Sequence, residues 1–133
     1  MDPIDCTIII PTFNTCEVTL QCIQNLRDAP PRVSHEIIVV DNKSMDGTVD
    51  RIAHSFPELA IVNNPANLGF SKACNRAAGM ARGRFLCFLN SDTFNTGSAI
   101  DQLVAWLVAH PKTGIVGPEL RAPTRGTDIA SPG

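Results

Sequence analysis

Short runs of β-branched and aliphatic residues alternate with amphipathic stretches along the chain, and this alternation is typical of an α/β protein. The apolar runs predict strands at residues 7–10, 36–40, 59–62, 85–89 and 114–116. Apolar residues at helical spacing predict helices over residues 16–29, 46–56, 71–82 and 100–108. The run at 85–89 is the most apolar, which predicts a central strand buried on both sides.

The order of these elements predicts a doubly wound, mostly parallel sheet with helices on both faces. We expect the strand order 3-2-1-4, which places a switch point between the first and fourth strands. In open sheets of this kind, ligands bind beyond the carboxyl ends of the strands, near the switch point. The polar residues that follow the strands are therefore the first candidates for a functional site.

Length, charge and cysteine content narrow the class of protein. A chain of 133 residues suits one domain. Its net charge of −2 shows no basic excess, which argues against a nucleic-acid partner. The first residues lack the features of a secretory signal, and no apolar run approaches the ~20 residues that cross a bilayer. The five cysteines form no C-x-x-C pair, so we expect reduced, mostly buried thiols in a cytoplasmic protein.

Polar residues follow three of the predicted strands, in the segments 11–14, 41–42 and 90–92. Because parallel strands bring their carboxyl ends to one rim, these segments are expected to meet. Asp92 is an oxygen ligand suited to Mg²⁺ or Mn²⁺, which complete their shells with phosphates and water. Asp41 can accept a hydrogen bond from a ribose hydroxyl or a base N–H, and Phe13 can offer its ring to a base. The pattern predicts a nucleotide-diphosphate site with a metal.

Several alternatives bear on this interpretation. Asp41 can instead form a cap or an Asx-turn before the next helix, a role that Ser44 and Asp46 can also fill. A dinucleotide or P-loop site would need G-x-G-x-x-G or G-x-x-x-x-G-K-[ST], and the sequence contains neither. A nucleotidyltransferase would need a glycine-rich, basic loop after the first strand, and residues 14–17 are not one. The three histidines lie far apart and lack metal-ligand spacing.

Four segments, at residues 7–14, 38–48, 67–75 and 88–93, carry a resemblance to a known family. They include the sequence DNKSMDGT at 41–48 and LNSDT at 89–93. In this order and spacing, the chain resembles the nucleotide-binding half of family 2 glycosyltransferases, which have the GT-A fold. The ending of the fourth strand is most similar to that of the rhamnosyltransferase-like branch.

The resemblance implies a role for each matching residue. Thr12 and Phe13 stand where the family holds the nucleobase and ribose, and Asp41 stands where it accepts hydrogen bonds from the base. Asp92 matches the last carboxylate of the D-x-D motif and is the implied metal ligand, whereas Asn90 replaces the first carboxylate with an uncharged amide. The implied nucleotide-sugar-binding set is Pro11, Thr12, Phe13, Asn14, Asp41, Asn67, Gly69, Lys72, Asn75, Asn90 and Ser91.

The implied reaction is transfer of a sugar from a UDP- or dTDP-linked donor to a hydroxyl group, assisted by Mg²⁺ or Mn²⁺ and with inversion. The implied acceptor is a glycan or a lipid-linked saccharide. A cytoplasmic location is expected, and peripheral association with the inner membrane face is left open.

The resemblance also divides the chain. Residues 1–118 correspond to the nucleotide-sugar-binding portion, and we expect 119–133 to form a loop or frayed tail. The family's acceptor half, with its catalytic base, would begin about where this sequence stops, so no catalytic residue is assigned. The alternative function is a nucleotide-sugar-binding module without turnover of its own. Apolar surface exposed near the fourth and fifth strands predicts self-association into a homo-oligomer.

Overall fold

The computed structural model describes residues 2–94 and 96–119 of the chain. Four strands and four helices alternate strictly along this part of the sequence. They are β1 (Ile4–Thr12), α1 (Cys16–Asp28), β2 (His35–Asp41), α2 (Thr48–Ser55), β3 (Ala60–Asn63), α3 (Gly69–Ala78), β4 (Gly83–Phe88) and α4 (Gly97–Ala109). The strands form one sheet in the order β3-β2-β1-β4, and each neighbouring pair is parallel. The predicted fold class and strand order are confirmed.

The register of the sheet brings the ends of β1, β2 and β3 level with one another, whereas β4 ends opposite an earlier residue of β1. Thr12 of β1 lies opposite Asp41 of β2, and Asp41 lies opposite Asn63 of β3. On the other side of β1, Ile9 lies opposite Phe88 at the end of β4. The loops that follow the four strands therefore begin at one edge of the sheet, as a parallel arrangement requires.

Strand β1 forms the centre of two hydrophobic cores, one on each face of the sheet. Ile8 and Ile10 point to the face covered by α1, α2 and α4, and Ile9 points to the face covered by α3. All three isoleucines are fully buried, and each such side chain contributes roughly 1.5–3 kcal/mol through apolar burial. The core beneath α3 is built from small residues of that helix, Ala73, Cys74 and Ala77. Helices on both faces are thus confirmed.

Two predictions about the strands are wrong. Strand β4 pairs only with β1 within the described residues, so it lies at an edge of the sheet and not at its centre. Residues 114–116 form no strand, and Ile115 is 93% exposed. Both errors concern the same edge of the sheet. Residues 114–116 would form a strand only by hydrogen bonding to the second edge of β4, and within the described residues the two do not pair. Without that partner β4 remains at the edge.

Helix boundaries shift by a few residues from those predicted. Helix α2 begins at Thr48, two residues after the expected start, and α3 ends at Ala78, before the expected end near residue 82. Gly79 follows α3 directly, and glycine is a poor helix former. The predicted tail beyond residue 119 lies outside the described residues.

The prediction that the cysteines are free and mostly buried is confirmed. All five thiols are free, four of them are buried, and Cys87 is partly buried. Burial raises the pKa of Cys6 to about 12 and that of Cys87 to about 11. Cys6 and Cys87 therefore act as small, unreactive residues that pack in or against the core. Within the described ranges, no helix is both long and apolar enough to cross a membrane.

Candidate functional site

The loop after β1 divides into a buried part and an exposed part. Thr12 is buried, and its hydroxyl lies 2.8 Å from that of Thr19 and 3.1 Å from that of Thr15. These contacts hold the loop against the start of α1. Phe13, the next residue, is 44% exposed, whereas Pro11, which precedes Thr12, is half-buried. Thr12 therefore holds the loop in place, and Phe13 projects from it with its ring accessible.

Asn14 joins this loop to the loop after β2. Its backbone N–H donates to the Ser44 hydroxyl at 2.9 Å, and its Oδ1 accepts from the backbone N–H of Met45 at 2.8 Å. Its φ of +51° lies in the left-handed region, which asparagine tolerates better than most residues. Asn14, one of the predicted ligand-binding residues, thus contacts the neighbouring loop through its amide oxygen.

Asp41 ends β2 with its carboxylate turned toward Ser44. Oδ2 accepts from the Ser44 backbone N–H at 2.8 Å, and Oδ1 accepts from the Ser44 hydroxyl at 2.5 Å. The residue is only 2% exposed. The turn alternative raised by the sequence is therefore the geometry that this structure shows. Each carboxylate oxygen carries two lone pairs, so each retains one acceptor position beyond its bond to Ser44.

A buried polar network, which the sequence analysis missed, links the ends of β2 and β3. The Asn64 side chain donates from Nδ2 to Oδ1 of Asn42 at 2.8 Å, and its Oδ1 accepts from Nη1 of Arg76 at 2.6 Å. Asn42 in turn donates to the carbonyl of Gly69 at 3.3 Å. The signal for Asn64 was available, because it follows an apolar run just as Asp41 and Asn42 do.

The turn before α3 and the helix itself carry four of the predicted site residues. Asn67 accepts a hydrogen bond from the backbone N–H of Gly69 at 3.0 Å, forming a local turn in which Gly69 has a φ of +78°. Lys72 and Asn75 lie three residues apart on α3, and both side chains are exposed. Asn67 and Gly69 thus shape the turn, whereas Lys72 and Asn75 remain accessible to a ligand.

The loop after β4 contains the implied metal ligand. Asp92 is exposed, and no hydrogen bond or ion pair within the described residues engages its carboxylate. Asn90 is also exposed, and its backbone carbonyl accepts from the Thr93 hydroxyl at 2.6 Å, which closes a tight turn. The Ser91 hydroxyl lies 3.4 Å from that of Thr15, which connects this loop to the loop after β1.

The donor set around Asp92 fits a cation only in part. Among the described residues, no group of three or more His, Cys, Asp or Glu side chains is arranged to hold a metal. One accessible carboxylate beside an asparagine matches the behaviour of Mg²⁺, which keeps several waters and takes further oxygens from substrate phosphates. Asp92 and Asn90 are thus suited to a metal that arrives with a phosphate ligand.

Side-chain contacts connect all four loops along the carboxyl edge. Ser91 contacts the β1 loop, Asn14 contacts the β2 loop, and Asn42 contacts the segment that follows β3. The convergence predicted from the sequence is therefore confirmed for the loops that carry Phe13, Asp41 and Asp92. A separate apolar cavity of about 540 Å³ lies between β4, α4 and residues 114–118, and none of these three residues lines it.

A parallel sheet in this order, with helices on both faces and polar loops joined along one edge, defines a doubly wound α/β domain. The family model for glycosyl transferase family 2 matches residues 7–128. The chain belongs to that family, as the resemblance implied.

Known proteins agree with this assignment. The chain is 27% identical over 99 residues to the poly(ribitol-phosphate) beta-glucosyltransferase of Bacillus spizizenii, a match that covers 71% of this chain and 16% of that protein. Among solved structures, it resembles the Pyrobaculum calidifontis mannosyltransferase in complex with GDP-Man and Mn²⁺, with 30% identity and a TM-score of 0.72 over 86% of this chain and 35% of that one. It also resembles S. aureus TarS 1-349 in complex with UDP, with 25% identity and a TM-score of 0.67 over 81% and 33% of the two chains. The chain thus spans less than half the length of these relatives.

Proposed function

We propose that the chain is the donor-binding portion of a glycosyltransferase that transfers a sugar from a nucleotide-diphosphate sugar to an acceptor hydroxyl. The observation that carries the proposal is the joined edge at which Phe13, Asp41 and Asp92 stand in three connected loops. Membership of family 2 and the nucleotide or nucleotide sugar bound by two structural neighbours support it. In this proposal, residues 1–118 form the donor portion.

The proposed binding mode follows from which groups are exposed. The Phe13 ring packs against the nucleobase, and Asp41 accepts the base N–H with the lone pairs that Ser44 leaves unused. Because Asp41 is only 2% exposed, a base could reach its carboxylate only if the turn at Ser44 moved outward. On α3, Lys72 and Asn75 present a cation and an amide to the phosphates and the sugar.

The phosphate end of the donor lies beside the loop after β4. Asp92 would hold Mg²⁺ or Mn²⁺, and Asn90 would bond the ribose or a water bound to the ion. When bound, such an ion neutralises the charge that builds on the departing nucleoside diphosphate. Asn90 supplies no charge, so the pyrophosphate oxygens provide the remaining anionic ligands.

The finer specificity is also a proposal. The Asp41 carboxylate can accept from any base that presents an N–H, including the N3–H of uracil or thymine and the N1–H of guanine, so a UDP- or dTDP-linked donor is proposed on the family resemblance alone. The LNSDT ending at 89–93 supports the rhamnosyltransferase-like branch, and hence a deoxysugar and an inverting reaction. A carboxylate base acting on the acceptor hydroxyl would come from outside residues 1–118. A second candidate is therefore a binding module without turnover of its own.

We further propose a cytoplasmic protein, acting on a glycan or lipid-linked acceptor at the inner membrane face, that self-associates through β4. Support for the last point comes from the second edge of β4, which is unpaired within the described residues. Leu86 and Phe88 of β4 are 42% and 49% exposed. An open edge with apolar side chains is a site at which two copies of a chain can pair.

Calorimetry with UDP, dTDP and GDP, each with and without Mn²⁺ or Mg²⁺, tests the donor site. We expect binding that depends on the metal and that prefers UDP or dTDP. Asp92→Asn should weaken the metal-dependent binding by at least about tenfold, and Asp41→Asn should reduce the preference between bases. Asp50→Asn, which removes one carboxylate from the exposed face of α2, is the matched control. Equal binding by all three variants and the parent would contradict the proposal.

A further inference from the structure

Three side chains tie the loop after β1 to the loop after β2. They are Asn14, Ser44 and Asp46, and together we call them the interloop clasp. Asn14 contacts Ser44 and Met45 through its backbone N–H and its amide oxygen. The Asp46 carboxylate accepts from the backbone N–H of Cys16 at 3.1 Å, at the first turn of α1. Strand pairing ends at Thr12 and Asp41, so beyond those residues side-chain contacts determine the spacing of the loops.

Asp46 differs from an ordinary helix cap because it serves two helices. Its Oδ2 accepts from Cys16, while its Oδ1 accepts from the backbone N–H of Thr48 at 3.2 Å and from the Thr48 hydroxyl. Helices α1 and α2 therefore share one carboxylate at their amino ends. An anion placed at two helix amino termini is favoured by both sets of free N–H groups.

The backbone on either side of the clasp is held in a conformation that L-residues seldom adopt. Asn14 has a φ of +51° and Lys43 has a φ of +65°, and they are the only non-glycine residues with positive φ in the part of the chain described. One stands in each of the two joined loops. Such conformations persist where surrounding contacts hold them, and they concentrate at ligand sites.

The clasp also reaches the predicted base acceptor. The Ser44 hydroxyl accepts from the Asn14 N–H and donates to Oδ1 of Asp41, which forms a continuous path from the Phe13 loop to that carboxylate. Asn14 is a member of this path, so a change there alters where the turn at Ser44 sits relative to Asp41. Asp46 stands outside the path but holds Cys16, two residues after Asn14, against the loop that carries Ser44.

We propose that Asp46 is a positioning residue that couples the Phe13 loop to the Asp41 turn, so that the two act as one base-binding unit. The inference rests on the proposed function, because it assumes that a nucleobase lies between these loops. Asp46 itself touches the two helix amino ends and not the ligand. Its loss should therefore affect recognition of the base and leave recognition of the phosphates intact.

The first measurement compares UDP with inorganic pyrophosphate, each in the presence of Mn²⁺, by calorimetry. Asp46→Ala should raise the Kd for UDP about tenfold, as expected when charge-assisted hydrogen bonds are lost, and change the Kd for pyrophosphate less than twofold. Asp46→Asn keeps one acceptor oxygen and should fall between the parent and Asp46→Ala. Asp50→Ala, on the exposed side of α2, should match the parent. Unchanged UDP affinity, or an equal loss for both ligands, would overturn the inference.

The second measurement needs no nucleotide. Amide hydrogen exchange of the ligand-free chain should show faster exchange in Asp46→Ala at residues 13–16 as well as at 44–48, with core amides unchanged. Acceleration confined to 44–48 would refute the coupling, whatever the nucleotide data show. A parent chain that binds no nucleotide but shows coupled exchange would overturn the proposed function and leave the clasp supported as a link between the loops. If Asp46→Ala does not fold, Asp46→Asn provides the same two comparisons.

Discussion

Replacing Asn64 with alanine tests the buried network that joins β2, β3 and α3. Asn64 is 4% exposed and makes two side-chain hydrogen bonds, one to Asn42 at 2.8 Å and one from the Arg76 guanidinium at 2.6 Å. Asn64→Ala removes both hydrogen bonds at once and leaves Asn42 and Arg76 in place. Oδ1 of Asn42 then keeps only the backbone N–H of Leu68, at 3.4 Å.

The expected cost follows from the two bonds. A neutral hydrogen bond contributes about 0.5–1.5 kcal/mol net, and one to a charged group contributes about 1.5–3 kcal/mol. We therefore expect Asn64→Ala to lower the free energy of unfolding by about 2–4 kcal/mol. For a domain of this size, that corresponds to a fall in Tm on the order of 10 °C.

Urea unfolding followed by circular dichroism measures this loss. Asn63→Ala is the matched control, because Asn63 is the preceding residue and is exposed. It should change stability by less than about 0.5 kcal/mol. A double variant with Arg76→Ala should cost less than the sum of the two single changes. If Asn64→Ala and Asn63→Ala are equally stable, the network does not stabilise the fold and the reasoning is refuted.

Three further predictions concern acid stability, packing and assembly. Burial acts to raise the pKa of Glu36, but hydrogen bonds from Arg82 and Thr7 outweigh it and lower that pKa below 4.5. The pKa of Asp46 is lowered below 3.8, mainly by the hydrogen bond from the Thr48 hydroxyl. Both carboxylates therefore stabilise the fold above about pH 4.5, and this stabilisation is lost as the pH falls through the lowered pKa values. The free energy of unfolding, measured at a series of acid pH values, should decline, and the decline should be shallower in Glu36→Gln. Ile9→Ala, at a fully buried position, should cost about 2–5 kcal/mol in urea unfolding, and a loss below 1 kcal/mol would contradict the two-core description. Light scattering of the parent should show a mass that rises with concentration, whereas the double variant Leu86→Lys and Phe88→Lys should stay monomeric. Met45→Lys, at an 89% exposed position in the loop after β2, is the control and should behave like the parent. A monomeric parent would contradict self-association.

The fold was predictable because its signals are local. Apolar runs at strand length and stripes at helical spacing define each element, and the alternation of strands and helices permits few topologies. The position of β4 was not predictable in this way. An apolar run such as 85–89 indicates burial, but whether a further strand covers it depends on contacts from other parts of the chain.

The candidate site was predictable in its location and less so in its details. Polar residues after strands identified the edge, because parallel strands end together. The sequence could not show that Asp41 bonds Ser44 or that Asp46 joins two helices, since both depend on distances between loops. Arg76 was missed for the same reason: a cation on an exposed helix face looks solvated until the fold brings Asn64 beneath it.

Helix α3 lies on the sheet through small side chains, those of Ala73, Cys74 and Ala77. Ala73 and Ala77 are fully buried against β1 and β2, while Lys72 and Asn75 project from the opposite side of the same helix. The height of this helix above the strands is therefore fixed by methyl groups. A protein with this architecture could change the molecule it recognises most readily by replacing outward residues of α3 such as Lys72 and Asn75. A change that moved the backbone of α3 would disturb the core packed beneath the helix.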